Sequence, residues 1–86
     1  MSRLLPTDKG IDWYFSEMEE HVREIRDLYR ACNMAYKGKE TCQEHSRVEA
    51  YDLIVLVAEA FNMPEILNAV PKETIDRFNK KRTKKR

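Results

Sequence analysis

The chain has 86 residues, 42% of them apolar and 36% charged. That length allows one domain, and the composition is too apolar for a disordered chain and too charged for a membrane-embedded one. The net charge of +1 hides a division: residues 77–86 carry seven Lys or Arg and no acid, while the rest of the chain holds nine Lys or Arg against fifteen Asp or Glu.

No apolar run approaches the roughly 18 residues of a membrane span; the longest, residues 53–58, has six. The opening Met1-Ser2-Arg3-Leu4-Leu5-Pro6 lacks the apolar stretch of an export signal, and the chain has two cysteines. Both features lead us to expect an intracellular, cytoplasmic protein with free thiols.

Residues 1–10, with Pro6, Asp8 and Gly10, show no periodicity and read as a loosely held, flexible arm. Then Ile11, Phe15, Met18, Val22, Ile25, Tyr29, Cys32 and Tyr36 recur at alternating spacings of four and three. Such a heptad predicts an amphipathic helix of about 26 residues, roughly 39 Å long, with these side chains on its buried seam. Lys37-Gly38-Lys39-Glu40 is the break, with Gly38 suited to a positive φ at the helix end. Thr41 and Glu44 have the form of a capping box, which starts a second helix running from Cys42 to about Asn62.

The middle of that second helix, residues 53–58, is apolar on nearly every side. Glu49, Asp52 and Glu59 mark its only polar stripe and read as its solvated face. Pro64 and Pro71 each read as a first-turn proline opening a short helix. The expected fold is all-α: a long antiparallel helical hairpin, residues 10–37 against 41–63, closed by one or two short C-terminal helices. Residues 11–78 form the helical domain and residues 79–86 a basic tail. Two helices cannot enclose an apolar segment like 53–58, so self-association into a homodimer or higher oligomer is expected to complete the bundle.

Glu49-Ala50-Tyr51-Asp52 sets two carboxylates one helical turn apart, a spacing suited to Mg²⁺ or Mn²⁺. A second set of carboxylates must come from the facing helix, where Glu19 or Glu20 are the candidates. The order over residues 17–60, a Glu-rich helix, a loop and Glu-x-x-Asp entering an apolar helix, resembles the all-α MazG-type nucleoside triphosphate pyrophosphohydrolases. The Phe78-Asn79-Lys80 ending is loosely similar too. That resemblance implies metal ligands at Glu19, Glu20, Glu49 and Asp52. The family's first motif is Glu-Glu-x-x-Glu, whereas this chain runs Ser16-Glu17-Met18-Glu19-Glu20-His21-Val22-Arg23-Glu24. The heptad also turns Glu17, Glu20 and Glu24 away from the second helix and leaves only Glu19 beside the seam.

Other features point elsewhere. Trp13 falls off the heptad seam beside Tyr14, where it either anchors a partner or caps the bundle end. With Arg23, Arg26 and Arg30 on the polar faces, the pair makes a candidate protein-binding surface. Cys32 sits on the seam as a small hydrophobe, and no C-x-x-C or H-x-x-H pairing anchors a zinc site on the two cysteines with His21 and His45. The tail residues Lys80, Lys81, Arg82, Lys84, Lys85 and Arg86 suit weak, salt-sensitive contact with nucleic acid.

The leading expectation from sequence is a small helical interaction module, an adaptor, regulator or inhibitor without cofactor or catalysis. A MazG-like pyrophosphohydrolase using Mg²⁺ or Mn²⁺ is the alternative. A nucleic-acid accessory protein acting through its tail comes third.

Overall fold

In the computed structural model, which describes residues 3–83, the chain is mostly helical. Helix α1 spans Ile11–Arg30, strands β1 and β2 are Ala35–Tyr36 and Glu40–Thr41, α2 spans Cys42–Ala60, a 3₁₀ helix spans Pro64–Ala69, and α3 spans Lys72–Thr83. Among the described residues no helix is long and apolar enough to cross a membrane.

Helix α1 is shorter than its heptad predicts. It has 20 residues, and the backbone leaves the helical region at Cys32, whose φ is 55°. The chain then forms a small antiparallel hairpin in which Ala35 pairs with Thr41 and Tyr36 with Glu40. Gly38 does adopt a positive φ, 111°, but at the hairpin tip rather than at a helix end. The amides of Cys42 and Gln43 bond back to the carbonyls of Met34 and Cys32, at 2.7 and 3.0 Å. Hairpin pairing thus satisfies backbone groups that a longer helix would have satisfied internally.

Helix α2 begins where its sequence indicates. The Thr41 amide donates to Glu44 Oε1 at 2.8 Å and the Glu44 amide donates to Thr41 Oγ1 at 3.1 Å, the reciprocal pair of a capping box. Its apolar middle touches α1 along one side and the 3₁₀ helix and α3 on others. Val55 is wholly buried and packs with Val70 and Ile75, flanked by Leu4, Tyr51, Ile54, Leu67 and Phe78.

The residues that meet across α1 and α2 run in opposite order: Tyr14 reaches Glu59, Phe15 lies against Phe61, and His21 faces Asp52 and Glu49. The seam of α1 is rotated from the heptad. Tyr14 is buried and Met18, His21, Ile25 and Leu28 are half-buried, whereas Ile11, Phe15, Val22 and Tyr29 are 44–58% exposed. Cys32 is exposed as well. The cause lies in α2, whose polar stripe packs inward. Glu49, Asp52 and Glu59 are each less than one-fifth exposed, so α1 must offer them polar partners rather than its most apolar face.

Residues 3–10 form neither helix nor strand, yet they are pinned along α3. Asn79 Oδ1 accepts from the Leu5 amide and Asn79 Nδ2 donates to the Arg3 carbonyl, both at 2.7 Å, and Arg82 donates to the Leu5 carbonyl.

Candidate functional site

The helical repeat explains how polar side chains converge between the helices. On α1, Trp13, Glu17, His21 and Glu24 follow at four, four and three residues and share one flank. On α2, His45, Glu49, Asp52 and Leu56 do the same at four, three and four. Helix α3 adds Arg77, Phe78 and Lys81. These flanks and residues 6–9 enclose a cleft of about 490 Å³, whose walls include Trp13, Glu17, His21, Asp52, Arg77, Phe78 and Lys81. That volume lies within the usual range for small-molecule sites, about 300–1,000 Å³.

Beside the cleft, at His21 in its wall, single ligand atoms of His21, the exposed Glu24 and Glu49 all lie within 4.8 Å of one another. His21 Nε2 is 3.5 Å from Glu49 Oε1 and 4.0 Å from Asp52 Oδ2. Its other nitrogen, Nδ1, is 2.8 Å from the Glu17 carbonyl. A carbonyl only accepts, so Nδ1 carries a proton there and Nε2 is left to face the carboxylates. A ring nitrogen set against carboxylate oxygens in this way is held by a proton or a metal cation between them. Metal-binding histidines are commonly held in this way, with the distal N–H on a backbone carbonyl.

The surroundings sharpen this demand. Burial raises the Glu49 carboxyl above its ordinary range, and the negative charges of Asp52 and Glu24 raise it further, against opposition from His21 and His45. Burial likewise raises Asp52, despite Arg77, whose guanidinium reaches Asp52 Oδ1 at 2.6 Å. His45 braces the far side: its Nε2 is 3.6 Å from Glu49 Oε2, its Nδ1 is 2.7 Å from Glu40 Oε2, and its ring stacks on Tyr36 at 3.8 Å. The hairpin thus orients His45 behind Glu49.

The donor set of one imidazole and two or three carboxylates fits a divalent cation of intermediate hardness such as Mn²⁺. Arg77, against Asp52, and Lys81 supply positive charge to the cleft wall, and Trp13 stands edge-on to Tyr14 with Lys9 over its ring. Comparison with protein-family models, curated proteins and solved structures finds no match for this chain. Its function has to be argued from its own geometry.

The structure redistributes the residues singled out in the sequence. Glu49 and Asp52 do come together, but His21 and Glu24 face them; Glu19 and Glu20 lie on the exposed side of α1. Tyr14, a candidate partner contact, is buried, and its hydroxyl donates to Glu59 Oε1 at 3.2 Å. Trp13 is half-buried in the cleft wall. Arg23, Arg26 and Arg30 are exposed and take no part in the cleft. Of the basic run, Lys80 and Lys81 are exposed on α3, while Arg82 clamps both oxygens of Glu59 at 2.8 and 2.9 Å. Lys84, Lys85 and Arg86 lie outside the described residues.

His21, Glu24 and Arg77 were the functional candidates that sequence reasoning missed. One signal was present: Glu20-His21-Val22-Arg23-Glu24 keeps the frame of Glu-Glu-x-x-Glu with histidine in second place. The heptad reading obscured it by turning that frame outward.

Proposed function

We propose that the chain is a metal-dependent nucleoside triphosphate pyrophosphohydrolase, which hydrolyses the bond between the α- and β-phosphates to yield a monophosphate and pyrophosphate. The observation that carries this reading is the meeting of His21, Glu24 and Glu49 within 4.8 Å beside a cleft whose wall holds Arg77 and Lys81. The MazG resemblance supports it at the level of spacing, since His21 and Glu24 on α1 approach Glu49-x-x-Asp52 on α2, although Glu20 points away.

His21, Glu24 and Glu49 would hold the cation, with Asp52 beside them. A divalent ion there supplies charge neutralisation for the triphosphate and activation of the attacking water. The chain's own groups do the rest. Lys81, and Arg77 once drawn from Asp52, meet phosphate oxygens, and the Trp13 and Phe78 rings offer apolar faces to a base. Helical packing of α1 against α2, capped by α3, is what brings these groups to one place.

The test is release of pyrophosphate from a panel of ribo- and deoxyribonucleoside triphosphates with Mn²⁺ or Mg²⁺. Turnover is expected, with a loss of about 100-fold or more in Glu49→Gln while helical circular dichroism is retained. Absence of pyrophosphate with every nucleotide and both ions overturns the proposal. The reading of the chain as an interaction module would then return, resting on Arg23, Arg26 and Arg30.

A further inference from the structure

The rotation that turns His21 inward leaves an apolar stripe facing outward. Ile11, Phe15, Val22 and Tyr29 are 48%, 44%, 52% and 58% exposed, and Phe15 meets the exposed Phe61 edge to face. On a helix of 3.6 residues per turn these four side chains fall within about 40° of one line. Such a stripe, at spacings of four, seven and seven, is the seam of a helix–helix contact, not scattered surface hydrophobes.

The charges beside the stripe identify its occupant. On the flank away from α2 stand Asp12 and Glu19 toward the N-terminus, and Arg26 and Arg30 toward the C-terminus, all exposed. A second copy of α1 laid antiparallel, with the two-fold axis at Val22, sets like flank against like flank. Glu19 then lies within about 1.5 Å, along the axis, of Arg26 of the second copy, and Asp12 within about 3 Å of its Arg30. Each pairing occurs twice by symmetry. Val22 meets Val22, and Phe15 comes level with Tyr29. There a groove between α1 and α2, lined by Ile25, Tyr29 and Ala50 with Gln43, Glu44, Ser46 and Arg47 on its α2 side, would face the phenyl ring. A parallel pairing would instead turn this charged flank toward the α2 side of its partner and leave the charges unmatched.

We infer that the exposed stripe of α1 is the two-fold interface of an antiparallel homodimer centred on Val22. The opposed flanks of α1 then do different work: His21 and Glu24 face Glu49, and Val22 and Arg26 face the second copy. The dimer stands independently of any activity.

Sedimentation velocity of the full chain from about 1 to 200 µM is the first test, with a dimer expected at the upper concentrations. Val22→Glu should give a monomer throughout, with unchanged circular dichroism. Glu19→Arg and Arg26→Glu should each weaken the dimer roughly tenfold, and the two together should restore it. In a Cys32→Ser/Cys42→Ser background, Val22→Cys should oxidise to a covalent dimer. A wild-type monomer at 200 µM overturns the inference. So does a dimer indifferent to Val22→Glu, or a double charge swap that fails to restore association.

Discussion

At the scale of single residues, His21 is the side chain on which the site turns. Its Nδ1–H is fixed on the Glu17 carbonyl at 2.8 Å, which commits Nε2 to the carboxylates. Imidazole favours softer divalent ions than an all-oxygen set does, so the proposed site should prefer Mn²⁺ over Mg²⁺. His21→Glu would restore an all-carboxylate frame and is expected to shift the ratio of Mn²⁺- to Mg²⁺-supported activity toward Mg²⁺ by about tenfold or more. Initial rates with each ion, for wild type and variant, read this ratio directly. An unchanged ratio would remove His21 from the metal. The sequence showed the histidine plainly but not its direction, because a titratable ring on a mixed helix face is compatible with either side.

At the scale of elements, α3 is held by Arg82 as well as by the packing of Ile75 and Phe78 around Val55. Its guanidinium grips both oxygens of Glu59, with side-chain exposures of 15% and 17%, and also donates to the Leu5 carbonyl in the N-terminal arm. The same carboxylate accepts from the Tyr14 hydroxyl, so one ion pair joins α1, α2, α3 and the arm. Removing the guanidinium leaves Glu59 in place without its cation, which costs more than the loss of a surface pair. Arg82→Ala is expected to destabilise the protein by about 2 kcal/mol, a fall in melting temperature of roughly 8–16 °C for a domain this size. A fall of less than about 2 °C would mean that water replaces the guanidinium without loss. Composition placed Arg82 in a solvated basic run; only its position one further turn along α3, level with Glu59, makes it structural.

At the scale of the whole molecule, the half-buried carboxylates couple stability to pH and, in the proposed site, to metal. Glu49 and Asp52 have raised carboxyl pKa values in the fold, so without metal the native state binds their protons more tightly than the unfolded chain does. Their contribution therefore opposes folding at neutral pH. It becomes less unfavourable as pH falls through their raised values, until the unfolded carboxyls protonate too, near about pH 4. A divalent cation held at the proposed site would satisfy the same groups at neutral pH. Mn²⁺ should raise the melting temperature at pH 7.5, by an increment that shrinks toward pH 5 as protons compete and that vanishes in Glu49→Gln. An equal increment in that variant would place any metal elsewhere.

The residue types and spacings alone determined that the chain is helical, that α2 starts at a Thr41–Glu44 capping box, that its apolar middle is packed on several sides, and that Glu49 and Asp52 share one face. Capping, turn preference and helical repeat are local properties, readable within a few residues of their cause. The rotation of α1 was not local. Its heptad offers Phe15 and Val22 as a seam, but α2 packs inward through a stripe of carboxylates, and burying these required His21, Tyr14 and the arginines of α3 opposite them. Only the tertiary structure decided which face of α1 would turn in, because that choice balances the desolvation of charges on three helices at once, and no single segment carries that balance.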